Sequence, residues 1–130
     1  MNARHIDHVT LRIPEDSVAV AREFYGESLG FAIENARYEA GETPFFDVRL
    51  SATAVIHLWP TPEFDPPERT SYDHVAVVVE ESADEIAAEL ADAGVAVERT
   101  LDSPRGATGE AGAVYVRDPF GYRVELKARA

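Results

Sequence analysis

The sequence predicts an α+β fold made of two copies of one β-α-β-β-β unit, and three observations carry that prediction. Ile6-Asp7-His8-Val9-Thr10-Leu11-Arg12-Ile13 and Tyr72-Asp73-His74-Val75-Ala76-Val77-Val78-Val79 are near-twins, each with a histidine at the same place. Each run is followed by an acidic helix-opening turn, an Ala-rich helical pattern and a glycine. The far ends match as well: Val55-Ile56-His57-Leu58-Trp59 aligns with Arg123-Val124-Glu125-Leu126-Lys127, which makes His57 the counterpart of Glu125. A histidine repeated at one point of a repeated strand is hard to explain by packing alone.

Taken in order, the first strand is expected over 5–13. Period-2 alternation puts Ile6, His8, Thr10 and Arg12 on one face and Asp7, Val9, Leu11 and Ile13 on the other. Pro14-Glu15-Asp16-Ser17 reads as a helix start, with Asp16 or Ser17 as cap. Ala21, Phe24, Tyr25 and Leu29 then form one apolar stripe, closed by Gly30. Three shorter strands are expected over 31–38, 44–50 and 53–59, so the first module covers about 5–59. Residues 60–71 hold Pro60, Pro62, Pro66 and Pro67, which argues for an extended connector rather than helix or central strand. The second module covers about 72–127: a strand over 72–80, then a capping box at Ser82-Ala83-Asp84-Glu85. Ile86 and Leu90 supply its helix's buried stripe and Gly94 its end. Strands at 95–101, 112–117 and 122–127 follow, the last two joined by a tight turn at Asp118-Pro119-Phe120-Gly121.

At 130 residues the chain suits one domain with a proper core and is too short for two independent ones. Its 45% hydrophobic content is that of an ordinary soluble protein, and no apolar run approaches the ~20 residues that span a bilayer. A formal charge of −12 argues against nucleic acid and anionic membrane as partners. The strand that begins almost at Met1 leaves no room for a signal peptide, so a cytoplasmic protein is expected. With no cysteine, thiol chemistry is excluded and any metal site must use histidine and carboxylate.

The helix stripes decide which strand face is covered. Val9, Leu11, Ile13, Val75, Val77 and Val79 face the helices, as do Ile56, Leu58, Val124 and Leu126. His8, His57, His74 and Glu125 therefore share the opposite face. Neutral imidazoles with a carboxylate suit one divalent ion, with positions left for water or substrate. His5 has the wrong parity and reads as a surface residue.

Asp7-His8-Val9, Phe24-Tyr25-Gly26-Glu27-Ser28-Leu29-Gly30-Phe31, Tyr72-Asp73-His74-Val75 and Asp118-Pro119-Phe120-Gly121-Tyr122-Arg123-Val124-Glu125-Leu126 together resemble the vicinal oxygen chelate superfamily of glyoxalases, bleomycin-resistance proteins and extradiol dioxygenases. The resemblance covers essentially the whole chain as a single domain. It implies two βαβββ modules forming a curved mixed sheet with a cleft. It also implies a divalent ion such as Zn, Ni, Mn or Fe held by His8, His57, His74 and Glu125. The implied reaction is a metal-dependent lyase or isomerase step on a small substrate chelated through vicinal oxygens, with Glu125 or His57 moving the proton. The place of His57 resembles that of a glutamate in glyoxalase I, so this chain departs from that enzyme. His8, His74 and Glu125 alone make the two-histidine, one-carboxylate set of non-haem iron, which keeps an extradiol-type dioxygenase open. A metal-free drug-binding protein of the bleomycin-resistance kind is the alternative from another class. A homodimer, with clefts at or near its interface, is implied by the same resemblance.

Arg12 and Arg49 are placed to meet an anionic substrate, and solvated strand edges account for them equally well. Phe45, Trp59 and Tyr115 are candidates to line an apolar pocket, although Trp59 packs as readily under the connector. Gly106, Gly109 and Gly112 match neither phosphate-binding glycine fingerprint and suggest a flap over the cleft.

Overall fold

The computed structural model describes all 130 residues, which divide into two compact units, Met1–Asp65 and Pro66–Ala130. In the first, β1 (His8–Pro14) buries Leu11 and Ile13 and leaves His8, Thr10 and Arg12 exposed, as alternation requires. Helix α1 (Val18–Arg22) starts at Ser17, whose hydroxyl turns back to donate to the Pro14 carbonyl at 2.6 Å instead of capping the helix. The helix widens into a π-helical segment at Glu23–Ser28. Gly26 lies there because a Cβ would come within 2.9 Å of Ile33 Cγ1. Ala21, Phe24 and Tyr25 are buried, whereas Leu29 is half-buried. Gly30, with φ +76°, ends the helix in the conformation that only glycine adopts at little cost.

Strands β2 (Ala32–Glu34), β3 (Phe46–Ser51) and β4 (Ala54–Thr61) complete a four-stranded sheet ordered β1-β4-β3-β2, with β1 parallel to β4 and the other pairs antiparallel. Phe46, Val48, Ile56 and Leu58 form the buried face with Leu11 and Ile13.

Two expectations for this unit need correction. The strand foreseen over 31–38 stops at Glu34. The chain then makes a helical turn, α2 (Ala36–Glu39), for which the Asn35 amide donates to Glu39 at 2.9 Å. The last strand also runs on through Pro60 and Thr61. Proline is tolerated because β3 begins opposite Leu58, so beyond that residue β4 is paired only with β1.

The second unit repeats the plan with β5 (Val75–Val78), α3 (Ala83–Asp92), β6 (Val97–Leu101), β9 (Ala113–Arg117) and β10 (Arg123–Lys127), ordered β5-β10-β9-β6. The Ser82 capping box is complete: its hydroxyl accepts from the Glu85 amide, and the Glu85 carboxylate accepts from the Ser82 amide at 2.8 Å. Those bonds hold the Glu85 carboxyl below its ordinary value. Ile86 and Leu90 are buried, α3 packs on β9, and Gly94 ends the helix with φ +71°. The first strand is shorter than expected, starting after His74 rather than at Tyr72.

Between β6 and β9 the glycine-rich stretch forms a small hairpin, β7 (Arg105–Gly106) with β8 (Gly109–Glu110). Lys127 anchors it. The chain's only lysine is buried, and its ammonium donates to the carbonyls of Pro104 at 2.5 Å and Ala111 at 2.9 Å. Gly106 gives it room, since a Cβ there would meet Lys127 Cε at 2.8 Å.

The chain thus has a mixed α+β architecture with two four-stranded mixed sheets, one β-α-β-β-β module each. No helix is long and apolar enough to cross a membrane.

Candidate functional site

Register brings polar side chains into rows on the face that each helix leaves bare. In the first module Thr10, His57, Asp47 and Glu34 stand side by side across the four strands. The equivalent row of the second module is Ala76, Glu125, Tyr115 and Arg99. His57 and Glu125 hold the same position in their sheets, as the sequence alignment foresaw.

In the first module the His57 Nδ1–H donates to Asp47 Oδ1 at 2.5 Å; the two side chains are only 17% and 23% exposed. Its ring packs between those of Phe45 and His8, with centroid separations of 4.1 and 4.4 Å. Trp59 lies 5.6 Å from Phe45, and the Arg12 guanidinium sits 5.7 Å from the Trp59 ring centroid. His8 donates from Nδ1 to Asp7 at 2.8 Å, and this bond holds the Asp7 carboxyl below its ordinary value.

In the second module His74 lies between two carboxylates. Its Nδ1 is 2.5 Å from Asp73 Oδ1 and its Nε2 is 2.9 Å from Glu125 Oε2. The bond from His74, before the charge of Arg123, lowers the Asp73 pKa. Glu125 is 5% exposed and accepts a hydrogen bond from the Tyr115 hydroxyl. Burial first, then the Glu125 contact, raises the Tyr115 pKa. The Arg99 guanidinium caps the Tyr115 ring at 4.9 Å, and the His74 ring meets the same tyrosine edge-on at 5.3 Å. Arg123 reaches Asp73 at 3.5 Å and Glu98 at 2.7 Å, and Glu98 also takes Arg117. Behind them the Tyr72 hydroxyl donates to the Arg123 carbonyl, and burial pushes its pKa up to about 12.

His8, His57 and His74 share one arrangement: Nδ1 is held by an aspartate, from Asp7, Asp47 or Asp73. In His8 and His57 an imidazole so fixed keeps Nε2 as its basic nitrogen, the outer-shell pattern that orients metal-ligating histidines, whereas the His74 Nε2 is taken up by Glu125 at 2.9 Å. The donor set of imidazole nitrogen and carboxylate oxygen fits a borderline divalent ion. No group of three or more such side chains is arranged to hold an ion; candidate ligands meet as two pairs, His8 with His57 and His74 with Glu125.

Of the expected substrate-binding residues, Phe45 and Arg49 line a cavity of about 670 Å³ between β2, α2 and β3. Arg49 is committed there, donating to Glu34 at 2.8 and 3.1 Å, and that bond raises its pKa. Arg12 and Trp59 lie together beside Phe45, and Tyr115 serves Glu125. Sequence reasoning missed Asp47, Asp73 and Asp7 as partners and Arg99 as neighbour. Asp7 and Asp73 precede their histidines, and that repeat was the available signal. Asp47 had none, since only the β3–β4 register sets it against His57.

A model of the Glyoxalase/Bleomycin resistance protein/Dioxygenase superfamily matches residues 5–126, and the chain belongs to that superfamily. A putative glyoxalase family protein from Bacillus anthracis is 27% identical, with a TM-score of 0.74 over 100% of this chain and 98% of that one. A virulence protein from Salmonella typhimurium is 23% identical with a TM-score of 0.78, over the full length of both chains. Lactoylglutathione lyase from Agrobacterium tumefaciens shares the fold at 19% identity, with a TM-score of 0.67 over 98% and 95% of the two chains. No curated protein matches the sequence.

Proposed function

We propose that the chain is a divalent-metal-dependent enzyme, a lyase or isomerase of the glyoxalase kind acting on a small substrate through two vicinal oxygens. The observation that carries this reading is the aspartate behind each of His8, His57 and His74, because a histidine kept only for packing has no need of such a partner. His8, His74 and Glu125 are the ligands in this proposal. When bound, a divalent ion supplies Lewis-acid stabilisation for negative charge on the substrate's oxygens.

The chain's own groups do the rest. Asp7 and Asp73 orient His8 and His74. Tyr115 holds Glu125 by donating to it. His57, backed by Asp47 and screened from water by Phe45, accepts and returns a proton at Nε2. Glyoxalase I has a glutamate in the corresponding role, so the exchange keeps a proton carrier while changing its charge. The ligand set of two histidines and one carboxylate supports a second reading, an extradiol-type dioxygenase using Fe(II).

Elemental analysis of gently purified protein tests the proposal, with His74→Ala alongside. About one ion per chain, lost in the variant, is expected. Zn, Ni or Mn favours the isomerase or lyase and Fe the oxygenase. No ion, and no uptake of any of the four when offered, overturns the metal-dependent reading and leaves a ligand-binding protein.

A further inference from the structure

The cavity of the first module exists because the chain leaves the sheet at Asn35. Residues of the α2 turn and of the loop back to β3 border the cavity, and Ile33, Tyr38 and Phe45 are part of its wall. Its volume, about 670 Å³, lies within the range of small-molecule sites. Asp47 lines it and also holds His57, so the cavity adjoins the proposed proton carrier.

Its polar groups are nearly all spoken for. Arg49 and Glu34 neutralise one another, and Arg49 also donates to the Ser51 carbonyl at 3.2 Å. Asp47 is engaged by His57, and the Thr43 hydroxyl donates to the Phe45 carbonyl. Glu39, next to the cavity, is taken by Asn35 and by Arg22 at 3.8 Å. The exceptions are the Tyr38 hydroxyl, which is neutral, and Arg37, which lines the cavity and whose side chain has no protein partner. A cavity with apolar groups in its wall and one uncommitted cation favours an anionic ligand locally, although the chain as a whole carries a charge of −12.

We propose that this cavity is a substrate subsite for a small organic anion with an apolar body, the anionic group held by Arg37 and the body lying against Phe45 and Ile33. Guanidinium suits carboxylate or phosphonate because its planar fork donates two parallel hydrogen bonds. The reaction performed on such a ligand rests on the metal-dependent reading; binding does not.

EDTA-stripped protein is therefore titrated with benzoate, benzamide and benzylamine. Backbone amide shifts of β3 are followed by NMR, and emission of Trp59, the only tryptophan, is a second reporter beside Phe45. Benzoate should bind saturably and benzylamine at least about tenfold more weakly. Arg37→Gln should weaken benzoate by about tenfold or more and leave benzamide unchanged, whereas Phe45→Ala should weaken both. Arg37 is exposed and unpartnered, so its substitution spares the fold. No saturable benzoate binding, or equal affinity in Arg37→Gln, overturns the subsite. A chain that binds benzoate but no metal loses only the catalytic reading, and one that takes metal but no benzoate loses only the subsite.

Discussion

Asp73 shows how much of the candidate site depends on single hydrogen bonds. It is mostly exposed, yet it accepts from His74 and from Arg123, and the first of these bonds lowers its pKa from 3.8. A carboxyl with a depressed folded pKa adds stability that is present above its ordinary value and is lost as pH falls through the folded one. Denaturant titrations across pH 2–6 should therefore show a steeper acid loss in the native protein than in Asp73→Asn. The same variant should weaken divalent-ion binding by about 10–100-fold, because the neutral amide holds the His74 Nδ1–H more weakly and can turn its own N–H towards the ring, so the tautomer is no longer fixed. Competition with a chromogenic chelator measures this, and unchanged affinity would remove Asp73 from any orienting role. Asp7, lowered in the same way by His8, should behave alike.

At the scale of elements, the β7–β8 hairpin is held by one buried side chain. Lys127→Met keeps the volume but leaves the Pro104 and Ala111 carbonyls without their donor. A cost of about 1–3 kcal/mol is expected for groups left unsatisfied. Amide exchange should quicken locally over 104–111 while β9 stays protected. Uniform exchange across the second module would instead mean that Lys127 supports the whole sheet. The helices posed an easier problem. The Ser82 capping box and the Gly94 terminator were legible because a cap depends on residues within one turn of each other. Ser17 was foreseen as a cap by residue type, but its hydroxyl bonds backwards to Pro14, a choice between two local partners that composition does not decide. The strand foreseen through Tyr38 failed similarly, as Ala36, Arg37 and Glu39 follow helix propensity once Asn35 turns the chain.

For the molecule as a whole, the ligand proposal has a thermodynamic consequence. An ion that binds only the folded chain raises stability by about 2.7 kcal/mol at a hundredfold excess over its dissociation constant. Calorimetry with added Zn, Ni, Mn or Fe should show an upward shift that EDTA reverses and that His74→Ala abolishes. A shift that survives in His74→Ala would point to ions held elsewhere, such as the acidic surface of a chain of charge −12.

The sequence by itself determined the two modules, the facing of the first and last strand of each, and the pairing of His57 with Glu125 as counterparts. All three follow from repeat and alternation, properties of residues near one another in the chain. Only tertiary structure decided that Asp47 stands behind His57, that Tyr115 serves Glu125 and that Lys127 closes a hairpin. The first two depend on cross-strand register, which for Asp47 and His57 includes a bulge near Arg49 and Ser51, and the third on a loop carbonyl pair distant in sequence; no local pattern encodes them. The cavity over β3 likewise arises where the chain leaves its strand early, so the lone cation of Arg37 acquires meaning only once its neighbours are seen to be paired.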